Sequence, residues 1–145
     1  MDIGGILRKL KHKEGYASLI MNAPAEYSGL PGVIGASNEP ATGKYEFALV
    51  FVSSRAEADT LGPKAAGALK YDGVLWMAYP RGKAKADISR DRGWEALAGR
   101  GLRPMSLVAL DDTWSALRFR PLEAVKKEYG YGMPAGRTVR ACSNY

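Results

Sequence analysis

Cysteine and histidine are almost absent: Cys142 and His12 stand alone in the chain. A single cysteine excludes an intrachain disulfide framework, and with one histidine it removes most soft-metal ligand sets. A Ser-His or Cys-His triad would have to be built on His12. Long hydrophobic runs are missing too. The longest, such as Phe47 to Val52, hold six or so residues, against roughly 20 for a membrane-crossing helix. Met1 to Lys13 turn basic without the apolar segment of a signal peptide, and Asp2 stands where myristoylation needs glycine. These absences make a cytoplasmic protein with no membrane partner the expectation.

What is present fits a folded chain. The 145 residues suit one domain, and 46% hydrophobic content is enough for a core without staples. A net charge of +6 inclines the surface toward anionic partners. Ile3, Ile6, Leu7 and Leu10 recur at helical spacing, which predicts an amphipathic helix closed by Gly15. Ala17 to Met21 reads as a buried strand ended by Asn22-Ala23-Pro24. A short strand over Val33 to Ala36 is expected within the Gly/Pro-rich stretch that follows.

Tyr45 to Val52 is apolar almost throughout, as in a strand covered on both faces. Ser54 and Glu57 then form an S-x-x-E capping box, opening a helix that should break or kink near Gly62 because Pro63 lies inside it. Tyr71-Asp72-Gly73 reads as a turn, and Val74 to Tyr79 as a third strand. After the basic loop Pro80 to Ala86, Ser89 reads as the N-cap of a helix reaching Leu97 or Ala98, with Asp91 in its first turn. Pro104 to Leu110 and Trp114 to Arg120 form an antiparallel hairpin across Asp111-Asp112-Thr113. Pro121 sets up a last helix, Leu122 to Tyr129, which ends a domain spanning 1–129 and leaves 130–145 as a tail.

Strand, helix, strand, helix, hairpin is the order of a three-layer α/β sandwich, mostly parallel with an antiparallel C-terminal hairpin. Ligands in such sheets bind outside the carboxyl ends of the parallel strands. The loops leaving those ends are Asn22 to Pro24, Ser53 to Arg55 and Tyr79 to Lys85. Asp111 and Asp112 join them only if the strand from Pro104 to Leu110 runs parallel to the others.

Several stretches carry a resemblance: Asn22-Ala23-Pro24 with Tyr27, Phe51 to Arg55, Leu75 to Pro80, Ala86 to Asp91, and Asp111 to Phe119. Together they resemble a family of small bacterial proteins of uncharacterised function, the domain of unknown function 3052, over roughly Leu7 to Arg120. That family looks like a truncated relative of the S-adenosylmethionine-dependent methyltransferase sheet, so the resemblance implies a methyltransferase-like Rossmann fold and supplies no reaction. Where the family has a lysine-rich Trp-Pro-Lys loop, this chain reads Tyr79-Pro80-Arg81-Gly82-Lys83. The residues after Pro121 lie outside the match.

Methyl-donor and dinucleotide sheets need glycine after the first strand so that backbone can approach the ligand. Here Asn22 to Glu26 contain none before Gly29, so no cofactor is expected. Arg81, Lys83 and Lys85 follow a strand end and Arg55 opens a helix, a grouping suited to phosphate, although a solvated loop has the same composition. Asp87, Asp91, Asp111 and Asp112 could divide acid and base roles or simply cap and turn the chain. Neighbouring cations argue against magnesium, so no metal is expected. Trp76 and Trp114 read as core, Tyr79 equally as core or as a stacking face, and His12 as solvated surface. From Arg81 to Arg103 seven basic residues face three acidic ones, yet no recognition helix or aromatic nucleic-acid motif accompanies them.

The reading favoured is a binding or regulatory module with a degenerate cofactor cleft, recognising a small anionic or phosphorylated ligand. Arg55, Arg81 and Lys83 would supply charge, Asn22 and Ser53 hydrogen bonds, and Tyr79 a stacking face, with Asp111 beside them. A degenerate S-adenosylmethionine-type transferase using Asp111 or Asp87 as base is the second reading. A basic-face nucleic-acid or protein-interaction module is the third.

Overall fold

The computed structural model describes residues 3–39, 41–80, 88–89 and 93–124. Five strands form one sheet: β1 (Ser18–Met21), β2 (Tyr45–Phe51), β3 (Leu69–Pro80), β4 (Leu102–Ala109) and β5 (Trp114–Pro121), in the spatial order β1-β2-β3-β5-β4. β1, β2 and β3 pair in parallel. β5 pairs antiparallel with both β3 and β4, so two reversals bring β4 back to the direction of β3. The carboxyl ends of four strands therefore open on one edge.

Alternation along the strands sorts side chains onto two faces. Val50, Val52, Leu75, Met77 and Tyr79 face α3 (Arg55–Ala68) and α4 (Glu95–Ala98). Leu49, Phe51, Trp76 and Ala78 face α1 (Ile3–Lys9) and α2 (Leu30–Ile34). The expected three layers are present, and β2 is buried on both faces.

α1 buries Ile6 and exposes Arg8 and Lys9, and Leu10 just past its end is buried too. It ends well before Gly15. Lys11 takes the left-handed conformation (φ 62°), His12 N–H donates to the Leu7 carbonyl, and Lys11 N–H donates to that of Arg8. These are the two bonds of a Schellman ending, here without its usual glycine. The Trp76 indole fixes this ending by donating to the Leu10 carbonyl at 2.6 Å. The turn brings His12 inward, correcting its expected surface position. Its ring meets Phe47 edge-on at 4.9 Å and its Nε2 lies 3.0 Å from Ser18 Oγ.

Three other expectations are corrected. Val33 to Ala36 is not a strand: Pro31 opens α2, Gly35 closes it with φ 64°, and only Ser37 bridges β1, opposite Leu19. Proline at the first turn and left-handed glycine past the end are helix punctuation that outweighs the β-branched pair Val33-Ile34. α3 runs through Pro63 unbroken. Proline costs an interior hydrogen bond and crowds the preceding residue; Gly62, with no Cβ, relieves the second part. The same bare backbone admits Leu97, whose Cδ2 would lie 3.2 Å from a Cβ at Gly62. Tyr71-Asp72-Gly73 does not end a strand but bulges within β3, where Tyr45 aligns with Leu69 and Phe47 with Val74. Asp72 (φ 56°) makes the bend, and Arg120 clasps its carboxylate at 2.9 and 2.6 Å.

Of the helix expected from Ser89, the described residues show Glu95–Ala98 as helical. Trp94 occupies its N-cap, and the Ser89 carbonyl accepts the Trp94 indole N–H instead. Residues 122–124 are helical. The rest of the expected last helix, the tail 130–145 and Cys142 lie outside the described residues.

Burial lowers the His12 pKa below its ordinary 6.5. The folded protein then binds fewer protons at this site than the unfolded chain, so the stability it contributes is full above pH 6.5 and drains away as pH falls through the folded value. Urea denaturation at descending pH should show this loss in the wild type. His12→Gln should remove that increment while leaving the carboxylate titrations in place.

Candidate functional site at the carboxyl edge of the sheet

Leaving β1, the chain turns at Asn22 in the left-handed region (φ 61°), a conformation asparagine tolerates. Its side-chain Nδ2 donates to the Phe51 carbonyl at 2.7 Å. Asn22 thus spans the gap between the ends of β1 and β2, where the first connection departs to one face of the sheet and α3 to the other. This is the crevice in which an open α/β sheet takes its ligand.

The next segment closes over it. Pro24 leads into a 3-10 turn, Ala25–Tyr27, which lays the Tyr27 ring 5.1 Å from Phe51. Phe51 in turn meets Trp114 edge-on at 5.2 Å. Tyr27 is 1% exposed, and its hydroxyl donates to Asp111 Oδ2 at 2.6 Å. The other Asp111 oxygen accepts the backbone N–H groups of Thr113 and Trp114, both at 2.7 Å, in an Asx turn. The Trp114 indole donates to Glu26 at 3.1 Å. Burial first, and the Asp111 carboxylate next, push the Tyr27 phenol far above the ordinary tyrosine value. The phenol is locked as a neutral donor.

At the end of β2, Ser53 is exposed and its N–H donates to Glu57 Oε1 at 2.6 Å, while Ser54 Oγ accepts the Glu57 N–H at 3.2 Å. The capping box forms, with Glu57 reaching back one residue past the cap. Arg55 is half exposed and lies 3.7 Å from Asp59 and 3.5 Å from Glu95, linking α3 to α4. At the end of β3, Tyr79 is 4% exposed and its ring meets Trp94 at 5.9 Å. It belongs to the core between sheet and α4, and its faces are not presented to a cleft.

The edge thus gathers Asn22, Ser53, Arg55 and Asp111, with Tyr79 turned into the core. Arg81 and Lys83, together with Lys85, Asp87 and Asp91, lie outside the described residues. Glu26 and Tyr27 carry the closure. Their sequence signal is faint: Tyr27 belongs to the resemblance, but nothing local marks it as the partner of a carboxylate 84 positions away. No group of three His, Cys, Asp or Glu suited to a metal occurs among the described residues. A cavity of about 130 Å³ lies at the opposite end of β3, bordered by Leu69, Tyr71, Asp72, Leu102 and Phe119. Binding clefts for cofactors run to roughly 300–1,000 Å³, so this one is too small.

The fold as a whole is similar to that of solved structures. The chain is similar to the M1A22 tRNA methyltransferase TrmK of B. subtilis, with TM-score 0.52 and 10% identity over 94% of this chain and 72% of that one. The fold is methyltransferase-like. A fainter likeness is to the N-methyltransferase NodS of Bradyrhizobium japonicum WM9, with TM-score 0.43 and 10% identity over 82% of this chain and 93% of the other. No protein-family model and no curated protein matches the sequence. No helix among the described residues is long and apolar enough to cross a membrane.

Removing the Tyr27 hydroxyl deletes its charge-assisted bond to Asp111 at a partly buried position. Tyr27→Phe should lower unfolding stability by about 1–3 kcal/mol, read as a reduced urea midpoint. Asp111→Ala should cost more, because it also releases the turn amides of Thr113 and Trp114. A Tyr27→Phe protein of wild-type stability would contradict the closure.

Proposed function

We propose that the chain is a non-catalytic binding module on a methyltransferase-like sheet, recognising a small anionic or phosphorylated ligand at the carboxyl edge. The observation that carries this reading is the closure itself. The Asn22 amide bridges the exits of β1 and β2 and the Tyr27 ring lies against Phe51, beside the place where an open α/β sheet takes its ligand, and this favours a site closed to an adenosyl cofactor. Binding then belongs to the rim beside it. Arg55 and exposed Ser53 stand at the exit of β2, and Arg81 and Lys83 follow Pro80 at the exit of β3. Guanidinium and ammonium groups with a hydroxyl are suited to phosphate oxygens. Asn22 and Asp111 would support the rim by holding its floor, and Tyr79 by anchoring the end of β3 from which the basic segment follows. The motifs shared with the small bacterial family of unknown function, and a cytoplasmic setting, belong to the same proposal.

The likeness to methyltransferase structures favours a second reading, a degenerate transferase that opens the closure to admit its cofactor. Two measurements separate them. Inorganic phosphate should raise the melting temperature by a few degrees near saturation, and Arg81→Ala with Lys83→Ala should abolish that rise. Calorimetry with S-adenosylmethionine should show no heat of binding. A phosphate response that survives the double substitution overturns the anion site, and saturable adenosylmethionine binding selects the transferase.

A further inference from the structure

Three non-glycine residues among those described take the left-handed conformation: Asn22, Asp72 and Lys11. Asparagine and aspartate tolerate it, and each is held at its bend by a side-chain bond, Asn22 by the Phe51 carbonyl and Asp72 by Arg120. Lys11 has neither advantage. It occupies the position at which a Schellman ending takes glycine. Its side chain is exposed and makes no hydrogen bond or ion pair among the described residues. A lysine kept there at a steric cost points to a use for its charge.

Lys11 is one of a group. Arg8, Lys9, Lys11 and Lys13 are all exposed, and no carboxylate falls between them. Arg8 and Lys13 are likewise unpaired among the described residues, and Lys9 makes the 3.5 Å contact to the Ala109 carbonyl. Cations favour the carbonyl end of a helix, but that end is already served. The turn amides donate to the Leu7 and Arg8 carbonyls, and the Trp76 indole donates to that of Leu10. The segment also runs across one face of the sheet. Lys9 reaches toward the end of β4, whereas His12 packs on Phe47 of β2 and Ser18 of β1. β4 and β1 are the two edges of the five-stranded sheet, four strand spacings or about 19 Å apart.

We propose that this basic segment, Arg8 to Lys13, binds the phosphate backbone of a nucleic-acid strand without reading its bases. A row of cations across a face fits a ligand that carries many phosphates in line, whereas the rim at the carboxyl edge fits one. Contacts to the backbone supply affinity and carry no sequence information. A membrane surface is the poorer fit. An interfacial helix binds lipid through its apolar face, and here Ile6 and Leu10 are spent on the core.

A labelled poly-uridine strand, titrated with the full chain and followed by fluorescence anisotropy, should bind with an affinity that falls as salt rises. Lys11→Gln with Lys13→Gln should weaken the complex about tenfold and flatten the logarithmic salt slope by about 1.4, or about 0.7 for each lost contact. The same change of slope should appear in an Arg81→Ala, Lys83→Ala background, which separates this surface from the phosphate rim. Lys11→Gly should weaken the complex severalfold yet raise the urea midpoint, because glycine takes the left-handed turn without strain. No binding of the strand, a salt slope unmoved by the double substitution, or equal binding to phosphatidylserine vesicles would each overturn the proposal. So would a Lys11→Gly protein that is less stable than the wild type or binds the strand as well.

Discussion

The Asp111 carboxylate, with the Trp114–Glu26 bond beside it, ties together parts of the chain far apart in sequence. One oxygen holds Tyr27 and the other holds the backbone of its own turn, so the exit of β1 is fastened to the exit of β4 across the intervening strands. The bond is charge-assisted and partly buried, conditions in which a hydrogen bond exceeds the usual contribution. It exists because β5 inserts antiparallel between β3 and β4. Were β4 antiparallel to β3, Asp111 would lie at the opposite edge and Tyr27 would have no acceptor.

Strand alternation decides the rest of the edge. Successive residues at a strand end go to opposite faces, so Phe51 and Ala78 join the face beneath Tyr27 while Val52 and Tyr79 join the face beneath α3 and α4. Small residues on α3, Ala58, Gly62, Ala65 and Ala68, let that helix approach closely, and Trp94 fills the space remaining beside Tyr79. The aromatic residues near the edge are thus divided. Tyr27, Phe51 and Trp114 seal one side, and Tyr79 and Trp94 consolidate the other. The exposed positions of the edge are left to polar side chains, Ser53 and Arg55 among them.

Much of the fold was legible because its signals are local. The apolar run of β2, the capping box at Ser54 and the Asp-Asp-Thr hairpin each depend on a few neighbouring residues, and each appears where the sequence puts it. The misreadings share one cause: a local rule overridden by a partner distant in sequence or by an adjacent glycine. Gly62 has no Cβ for the Pro63 ring to crowd, which lowers the cost of carrying Pro63 inside α3. The Trp76 indole holds the end of α1 before Gly15 can close it, and Arg120 stabilises Asp72 in a bulge where a turn between elements was expected. The candidate site was legible to the same degree. Asn22, Ser53, Arg55 and Asp111 follow from strand exits, whereas the role of Tyr27 depends on a contact across the whole sheet, and Tyr79 depends on which parity of β3 faces α4.

The closed crevice depends most directly on Tyr27 lying over Phe51 inside the carboxyl edge. Proton–proton nuclear Overhauser measurements on the full chain address that placement without perturbing it. The structure predicts strong cross-peaks from the Tyr27 ring to the Phe51 ring, and a Tyr27 hydroxyl proton slow enough in exchange to be seen. A Tyr27 ring with no cross-peak to Phe51 and a freely exchanging hydroxyl would contradict the closed crevice and the reading built on it.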